Sequence, residues 1–546
     1  MSSNNNGNEA CLLLRFPKEL LVAVTSYLAN SDIKRLRGAN RAIRDIVPLR
    51  LQRVFLSANP LNIQVFRAIA DHDDFRKNVT EIVWDDARLV DADYEVGQGL
   101  IRAGERPNED CPEWFKIGRR AALMWRFDVV EDGWNGNTIP EDVMSLDDCW
   151  QYYRELLLGQ NEVLNSDSDV EALQYGLQRF PSLKCITLTP AAHGVYIGNP
   201  LYQTPMLRAF PDTFAYPIPR GWPGDEERTS SPPLYRWNDN DGFKMTYGDG
   251  CTLEEYKNIW RGFRVVLRTL SQHNQHSVSE FVMAIHHRRT GMNCHIFDQP
   301  CQEYVDFASL LSRPGFRRLD LALYTGAQEE DEWPAFRTGL FRDALSAATD
   351  LEHFSLSSNM DIDVHGCPGG LGDLEGMVAE EAFPISVLPV KRWPHLQHFG
   401  ITGFLVLQSE LVALLQAMSF LLRSVEVSYR AFFEEDCGYT QLLVSLRDNL
   451  SWRERAPKQR PRLHIKLSRE YFVNQGRYVS VDRAANKFIY DVLGEAPNPF
   501  GSEVYSYNPV EGLGAVDRSH LAPSFEVPYA LNGVNTKELV QYQAYY

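Results

Sequence analysis

One short apolar pattern recurs along the chain and restricts what it can fold into. An apolar residue is followed three positions later by a second and two positions after that by a third, so the last two share one face of a strand. Seven copies form a degenerate repeat: Val79-Ile82-Trp84, Leu183-Ile186-Leu188, Val278-Phe281-Met283, Phe316-Leu319-Leu321, Leu351-Phe354-Leu356, Leu396-Phe399-Ile401 and Leu422-Val425-Val427. Several follow helical stretches, such as 336–348 and 410–420. A repeated helix and short strand predicts units that bury their apolar sides against their neighbours.

The pattern resembles a divergent leucine-rich-repeat array. The resemblance implies a solenoid of parallel strands alternating with helices over residues 56–497. Composition rich in proline, glycine and aromatic residues, with little periodicity, predicts an insertion at about 190–250. The last five copies start 26 to 45 residues apart, whereas leucine-rich repeats usually span about 20 to 29 residues and carry an Asn or Cys position that is missing here. An ordinary α/β domain with parallel strands is the alternative.

Strand alternation also predicts the opposite face of the sheet. Because the apolar positions point to the core, the residues between them point away from it. In the last four copies these include Arg318, Asp320, His353, Ser355, His398 and Glu426. In leucine-rich-repeat proteins this side is the concave face, so the resemblance implies these six residues as candidates for binding a protein substrate. The alternative is that they form only the solvated side of the sheet.

Amphipathic helices are predicted near the start of the chain. Pro17 suits the first position of a helix and Glu19 its positive end. One apolar face follows at helical spacing, made by Leu20, Leu21, Val24 and Leu28. After a break, Ser31 or Asp32 can cap a second stretch, whose apolar positions are Ile33, Leu36, Ile43, Ile46 and Val47. So few helices bury too little surface to be comfortably stable alone, which predicts a partner.

These residues resemble an F-box of the kind found in fungal F-box proteins, in a module placed at 11–55. The opening pattern of the family is present as Phe16, Pro17, Lys18, Glu19 and Leu20, and its later anchors as Val24, Leu28, Asp32, Ile33, Leu36, Arg41 and Arg44. The chain departs from the family at Ala39 and Asn40, where Val and then Cys or Ser are usual, and at Ile43, which is often Trp. An ordinary amphipathic helical hairpin is the alternative.

The F-box resemblance implies docking onto the Skp adaptor of a cullin-based ubiquitin ligase. The residues that it implies for this contact are Phe16, Pro17, Glu19, Leu20, Leu21, Val24, Leu28, Ile33 and Leu36. Residues 15–54 hold nine basic and three acidic side chains, which gives this segment a net charge of +6. The whole chain has a net charge of −17, so the remaining residues together have a net charge of −23. A basic module suits an acidic adaptor, as Skp proteins are, although a solvated helix surface would also explain the charge.

Composition narrows the classes of function and the compartment. The net charge of −17 disfavours binding to nucleic acid and to anionic membranes. The nine cysteines are scattered and form no CxxC pair, which is typical of a reducing compartment. The first ten residues form a polar, flexible leader without the order of a signal peptide, and residues 498–546 resemble a loose tail. We therefore expect a cytoplasmic or nuclear protein without a membrane span.

Signatures of catalysis and of metal binding are weak. A cluster that could suit zinc consists of His286, His287, Cys294, His295 and Cys301, but its spacing is not that of a finger or ribbon. Gly97, Gly99 and Gly104 miss the spacing of a phosphate-binding loop. We expect no catalytic residue, no metal and no cofactor, with an unrecognised hydrolase or metalloprotein site as a remaining possibility.

The sequence thus predicts an α/β chain made of an N-terminal helical F-box and an irregular leucine-rich-repeat-like solenoid. Its predicted function is to link a protein substrate to the Skp adaptor, and through the adaptor to a cullin, for ubiquitination by partner enzymes. The alternative function is a repeat scaffold for protein interactions outside a ubiquitin ligase, in which the N-terminal helices only cap the solenoid.

Overall fold

The structure of the chain is a computed structural model. It describes residues 12–28, 30–47, 49–90, 110–126, 143–194, 200–219, 221–223, 236–238, 252–273, 275–286, 288–326, 328, 331–360, 382–428, 431–432, 439–468, 478–500 and 521–522. The predicted leader at 1–10, His287, Gly97, Gly99 and Gly104, and most of the predicted tail at 498–546 lie outside the described residues.

A parallel sheet organises the described part of the chain. The strands are β1 (Arg53–Ser57), β2 (Glu81–Asp85), β3 (Cys185–Thr189), β4 (Glu280–Met283), β5 (Met292–Asn293), β6 (Arg318–Tyr324), β7 (His353–Ser358), β8 (His398–Thr402), β9 (Leu405–Val406), β10 (Ser424–Glu426), β11 (Ala431–Phe432), β12 (Arg462–His464), β13 (Lys466–Ser468), β14 (Tyr478–Ser480) and β15 (Leu521–Ala522). The main sheet has the order β1-β2-β3-β4-β6-β7-β8-β10-β12, with β5 paired to β6, and all its pairings are parallel. It is open and follows chain order.

The seven apolar copies coincide with seven neighbouring strands of this sheet. Their second apolar residues stand side by side in register: Ile82, Ile186, Phe281, Leu319, Phe354, Phe399 and Val425. All three apolar residues of every copy are at most 4% exposed. The prediction of parallel strands that alternate with helices is therefore confirmed.

Each of these strands begins with the same hydrogen-bond pattern. The carbonyl oxygen of the residue before one strand accepts two successive N–H groups at the start of the next, as Arg317 accepts from Glu352 at 2.8 Å and from His353 at 2.9 Å. The same pattern recurs at Gln52, Thr80, Lys184, Ser279, Glu352 and Gln397. The copies therefore differ in the length of the segments that connect the strands, while the hydrogen bonding at the start of each strand is the same.

The helices are α1 (Lys18–Thr25), α2 (Asn30–Ala39), α3 (Arg41–Ile46), α4 (Pro60–Asp71), α5 (Asp73–Arg76), α6 (Glu113–Arg126), α7 (Leu146–Ser166), α8 (Ser168–Arg179), α9 (Pro205–Ala209), α10 (Leu253–Lys257), α11 (Arg261–Gln272), α12 (Gln302–Leu311), α13 (Pro334–Arg337), α14 (Leu340–Ser346), α15 (Gln408–Gln416), α16 (Tyr439–Asn449) and α17 (Asp482–Tyr490). Neighbouring helices pack in chain order, α4 on α8, α8 on α11, α11 on α12 and α12 on α14. They join the apolar side of the sheet in one large core, where Phe263 of α11 meets Phe281 of β4. No described helix has the length and apolarity needed to cross a bilayer.

Helices α1 to α3 form a separate small unit. Its core consists of Leu21, Ile33, Ile43 and Val47. Asn40 caps α3, because its side-chain oxygen accepts from Ala42 at 2.8 Å and from Ile43 at 3.3 Å. Strand β1 begins at Arg53, close to the predicted boundary of the helical module at residue 55.

The segment predicted as an insertion at about 190–250 contributes buried residues where it is described. The indole nitrogen of Trp222 donates to Asp86 at 2.8 Å, and that of Trp237 donates to Glu303 at 3.0 Å. Both indoles are buried. These parts of the segment are therefore integral to the packing of the body, through contacts that the local sequence pattern does not predict.

Candidate functional site

The six residues predicted opposite the apolar side of the sheet lie on one face and in two rows. Strand pairing aligns the first row as Arg318, His353, His398 and Ser424, and the second row as Asp320, Ser355, Gly400 and Glu426. Gly400 is buried, and the other seven residues of these rows are partly exposed. We call this surface of β6, β7, β8 and β10 the polar face.

Asp320 is the electrostatic centre of the polar face. Its carboxylate accepts from Arg318 Nη2 at 2.6 Å and lies 2.9 Å from His353 Nε2. Burial alone would raise the pKa of Asp320, but the hydrogen bonds from His353 and Arg318 lower it to about 2. Asp320 is therefore ionised at neutral pH and fixes the two side chains beside it.

His398 continues the first row next to His353. The two imidazole rings stack with their centroids 4.0 Å apart. Burial, together with the charge of His353, lowers the pKa of His398 to about 4. His398 is therefore a neutral imidazole at pH 7 and presents hydrogen-bonding nitrogens without a charge.

Glu426 closes the polar face on the side of β12. It accepts from Lys466 Nζ at 3.1 Å and from the hydroxyl of Ser428 at 3.1 Å. Beyond it, His464 Nδ1 lies 2.7 Å from Asp482 Oδ2. Charges of both signs therefore neutralise one another locally along the rows, which leaves a surface suited to hydrogen bonding.

A cavity of about 300 Å³ opens on the polar face. Ser355, Ser357 and Thr402 line it, and Arg288 and Arg289 approach it from the segment after β4. The hydroxyls of Ser355 and Ser357 have no hydrogen-bond partner among the described residues. A cavity with unsatisfied hydroxyls between charged side chains can accept the backbone and polar side chains of an extended peptide.

A second cavity, of about 420 Å³, continues the same side of the sheet towards β1. Arg318, which the sequence predicted, lines this cavity, but sequence reasoning missed other lining residues, among them Arg53, Glu81, Tyr202 and Glu280. Arg53 donates to Glu81 at 2.7 Å and lies over the ring of Tyr202. Glu81 and Glu280 align with Arg318 across the neighbouring strands. The argument from alternating side chains, if applied to the first three copies as well, would have predicted both residues on this face. No signal in the sequence places Tyr202 there.

The first helical unit carries an exposed apolar row that sequence reasoning found in part. Phe16, Leu20 and Val24 are 53%, 52% and 56% exposed, and Tyr27, which was not predicted, is 91% exposed. Steps of four, four and three residues place these side chains along one side of α1 and its flanks. We call Phe16, Leu20, Val24 and Tyr27 the apolar row. Pro17 and Glu19 beside it are also exposed.

Two of the predicted adaptor contacts need correction. Leu21 is 2% exposed and Ile33 is 1% exposed, because both fill the core between α1, α2 and α3. Leu28 and Leu36 are partly buried against the same core. These four side chains support the helical unit from inside, and the prediction that Leu21 and Ile33 face a partner is wrong for this conformation.

The residues of the suggested zinc cluster have separate surroundings. His286 Nε2 lies 3.1 Å from the hydroxyl of Tyr202, and His295 Nδ1 lies 2.7 Å from Asp298. Cys301 caps α12 by accepting from the backbone of Tyr304. Within the described ranges no group of three or more His, Cys, Asp or Glu side chains is placed to hold a metal ion.

A buried polar cluster lies at the carboxyl end of β2. Asp85 accepts from the backbone of Ala87 at 3.1 Å, and its other oxygen lies 4.0 Å from His193 Nε2. His193 Nδ1 is 2.8 Å from the hydroxyl of Tyr216. Burial raises the pKa of Asp85 well above its usual value and lowers the pKa of His193 to about 3. Both groups are therefore driven towards their neutral forms.

Comparison with known proteins adds no relative to this description. No protein-family model matches the chain, and no curated protein matches its sequence.

Proposed function

We propose that this chain is an F-box substrate-recognition subunit of an SCF-type cullin ubiquitin ligase, which links a protein substrate to the Skp adaptor and performs no chemistry itself. The observation that carries the proposal is the apolar row on α1. Phe16, Leu20, Val24 and Tyr27 are all more than half exposed, although the helical unit already has a filled core of its own.

Exposure of four large apolar side chains in one row is costly unless a partner covers them. Aromatic and aliphatic anchors of this kind supply most of the binding free energy at protein interfaces. The surrounding basic side chains, among them Arg15, Lys18 and Lys34, are exposed and would favour an acidic partner. Both properties match the acidic Skp adaptor that the F-box resemblance implies.

The body would then act as a leucine-rich-repeat-like solenoid that receives the substrate. Support comes from the register of seven apolar copies and from the helix layer in chain order. The polar face and its cavities of about 300 and 420 Å³ would hold an extended segment of the substrate, with Arg318, Asp320, His353, Ser355, His398 and Glu426 as contacts. Paired charges and free hydroxyls favour recognition by hydrogen bonding.

Affinity purification of the full chain with mass spectrometry tests the proposal. We expect the Skp adaptor and a cullin to copurify with the wild type and to be lost from the Phe16→Ala, Leu20→Ala double variant. The matched control is Phe420→Ala with Leu421→Ala, which removes two apolar side chains of similar exposure, 56% and 42%, outside the helical unit. The proposal fails if the adaptor is absent from the wild type or persists in the first variant.

One observation favours the second candidate function, a scaffold capped by its N-terminal helices. The guanidinium of Arg50 donates to the carbonyls of Ser26 at 2.6 Å and Leu28 at 2.7 Å, which ties α1 to the chain entering edge strand β1. If α1 to α3 only cap the solenoid, deletion of residues 15–50 would lower the unfolding temperature of the body and change no partner. In a ligase subunit the same deletion removes the adaptor.

A further inference from the structure

A third cavity, of about 230 Å³, lies at the amino ends of β3, β4 and β6. Three basic side chains line it, those of Lys184, Arg313 and Arg317, together with the serines Ser277 and Ser279. No Asp or Glu is among the described residues of its lining. This is a local excess of positive charge on a chain with a net charge of −17.

The repeated hydrogen-bond pattern at the strand starts fixes the geometry of this cavity. Ser279 donates its N–H to the carbonyl of Lys184 at 2.8 Å, and Arg317 donates its N–H to the carbonyl of Ser279 at 2.7 Å. Lys184, Ser279 and Arg317 each directly precede one of the neighbouring strands β3, β4 and β6, which lie about 4.8 Å apart. Lys184 and Arg317 therefore stand on either side of Ser279. Two long cationic side chains separated by about 10 Å can reach one small anion held between them.

The third cation belongs to the wall of the cavity. Arg313 Nη2 donates to the carbonyl of His276 at 3.1 Å, which holds the guanidinium in place. Burial lowers the pKa of Arg313, so a nearby negative charge would offset the cost of its partial desolvation. Lys184 and Arg317 are exposed and form no ion pair with a carboxylate in the described part of the chain.

We propose that this cavity binds a phosphate group, either as the free ion or as a phosphate monoester on a peptide. Guanidinium and ammonium groups are the strongest donors to phosphate oxygens, and serine hydroxyls complete such a shell. The cavity is smaller than those that enclose drug-sized ligands, which begin at about 300 Å³, so its size suits a single oxyanion. The site is separate from the apolar row and does not depend on the proposed ligase function.

The test measures binding of inorganic phosphate and of a Gly-phosphoserine-Gly peptide to the full chain by calorimetry, at constant ionic strength set with chloride. The variant is Lys184→Gln with Arg317→Gln. The matched control is Lys391→Gln with Arg392→Gln, which removes the same charge from two exposed side chains elsewhere. Thermal unfolding of each variant verifies its fold, and Phe16→Ala with Leu20→Ala must leave phosphate binding unchanged.

We expect saturable binding by the wild type and the control, and at least tenfold weaker binding by Lys184→Gln, Arg317→Gln. Binding of both probes identifies a monoester site, and binding of inorganic phosphate alone identifies a free-ion site. The inference is overturned if the wild type shows no saturable binding of either probe, if the Lys184 and Arg317 variant binds as tightly as the wild type, or if the control loses as much affinity.

Discussion

The imidazole rings of His353 and His398 lie face to face on neighbouring strands, 4.0 Å apart and within 13° of parallel. Asp320 accepts a hydrogen bond from His353, and burial disfavours a charge on His398. Protonation of His398 is therefore disfavoured while the chain is folded, which links the polar face to pH.

Stability should fall in mild acid because of His398. Its pKa is about 4 in the folded chain and 6.5 ordinarily, so the unfolded chain takes up the proton first as the pH drops. The contribution is complete above pH 6.5 and is lost between pH 6.5 and 4. It amounts to at most about 3 kcal/mol of unfolding free energy.

Urea unfolding of the wild type and of His398→Gln at several pH values measures this contribution. We subtract the unfolding free energy of His398→Gln from that of the wild type. We expect this difference to be constant from pH 7 to 8 and to fall steadily below pH 6.5, because the wild type alone loses the contribution of His398. His193 and His276, whose pKa values burial lowers to about 3 and 4, titrate in both proteins and cancel in the difference. A difference that does not change with pH would show that His398 is not desolvated as described.

Replacement of Asp85 by Asn should stabilise the protein at neutral pH. Burial raises the pKa of Asp85, so ionisation above pH 3.8 favours the unfolded chain, and a neutral amide avoids that cost while still accepting from Ala87. We expect a gain in unfolding free energy at pH 7 and almost none at pH 3. Chemical denaturation at both pH values measures it, and a loss at pH 7 would mean that the carboxylate is needed in the cluster.

Filling the cavity of about 300 Å³ should separate substrate binding from adaptor binding. Ser357→Tyr places a ring in the cavity and breaks no hydrogen bond to a described residue. We expect copurifying substrates to disappear while the adaptor remains and the unfolding temperature changes little. Ser424→Tyr, on the same face but outside the lining of this cavity, is the control. If both variants keep every partner, the substrate binds elsewhere.

Much of the sheet could be predicted from the sequence because its apolar triplets are strong and regular. Phe354 and Phe399 are the second apolar residues of their triplets, and both are buried. Because side chains alternate along a strand, the preceding residues His353 and His398 lie on the opposite face of the sheet. Strand β1 (Arg53–Ser57) was not among the predicted strands, although it is as long as β2. Its parallel pairing with β2, a contact distant in sequence, places it at the edge of the sheet.

The parts of the candidate site that could not be predicted depend on contacts distant in sequence. Tyr202 comes from an irregular segment and meets Arg53 only in the folded chain. Leu20 and Leu21 are identical in type and adjacent, so the sequence alone cannot decide which one faces outward. Packing against Ile33 and Ile43 decides it, since that core encloses Leu21.

Titration of the purified Skp adaptor into the full chain tests the central claim most directly. Leu20→Ala removes a side chain that is 52% exposed on the apolar row, while Leu21→Ala removes one that is 2% exposed in the core. We expect Leu20→Ala to weaken adaptor binding by about 2 kcal/mol with little change in stability, and Leu21→Ala to lower the unfolding free energy of the helical unit by about 2–4 kcal/mol. Wild-type chain that does not bind the adaptor, or Leu20→Ala that binds it as tightly as the wild type, would contradict the account.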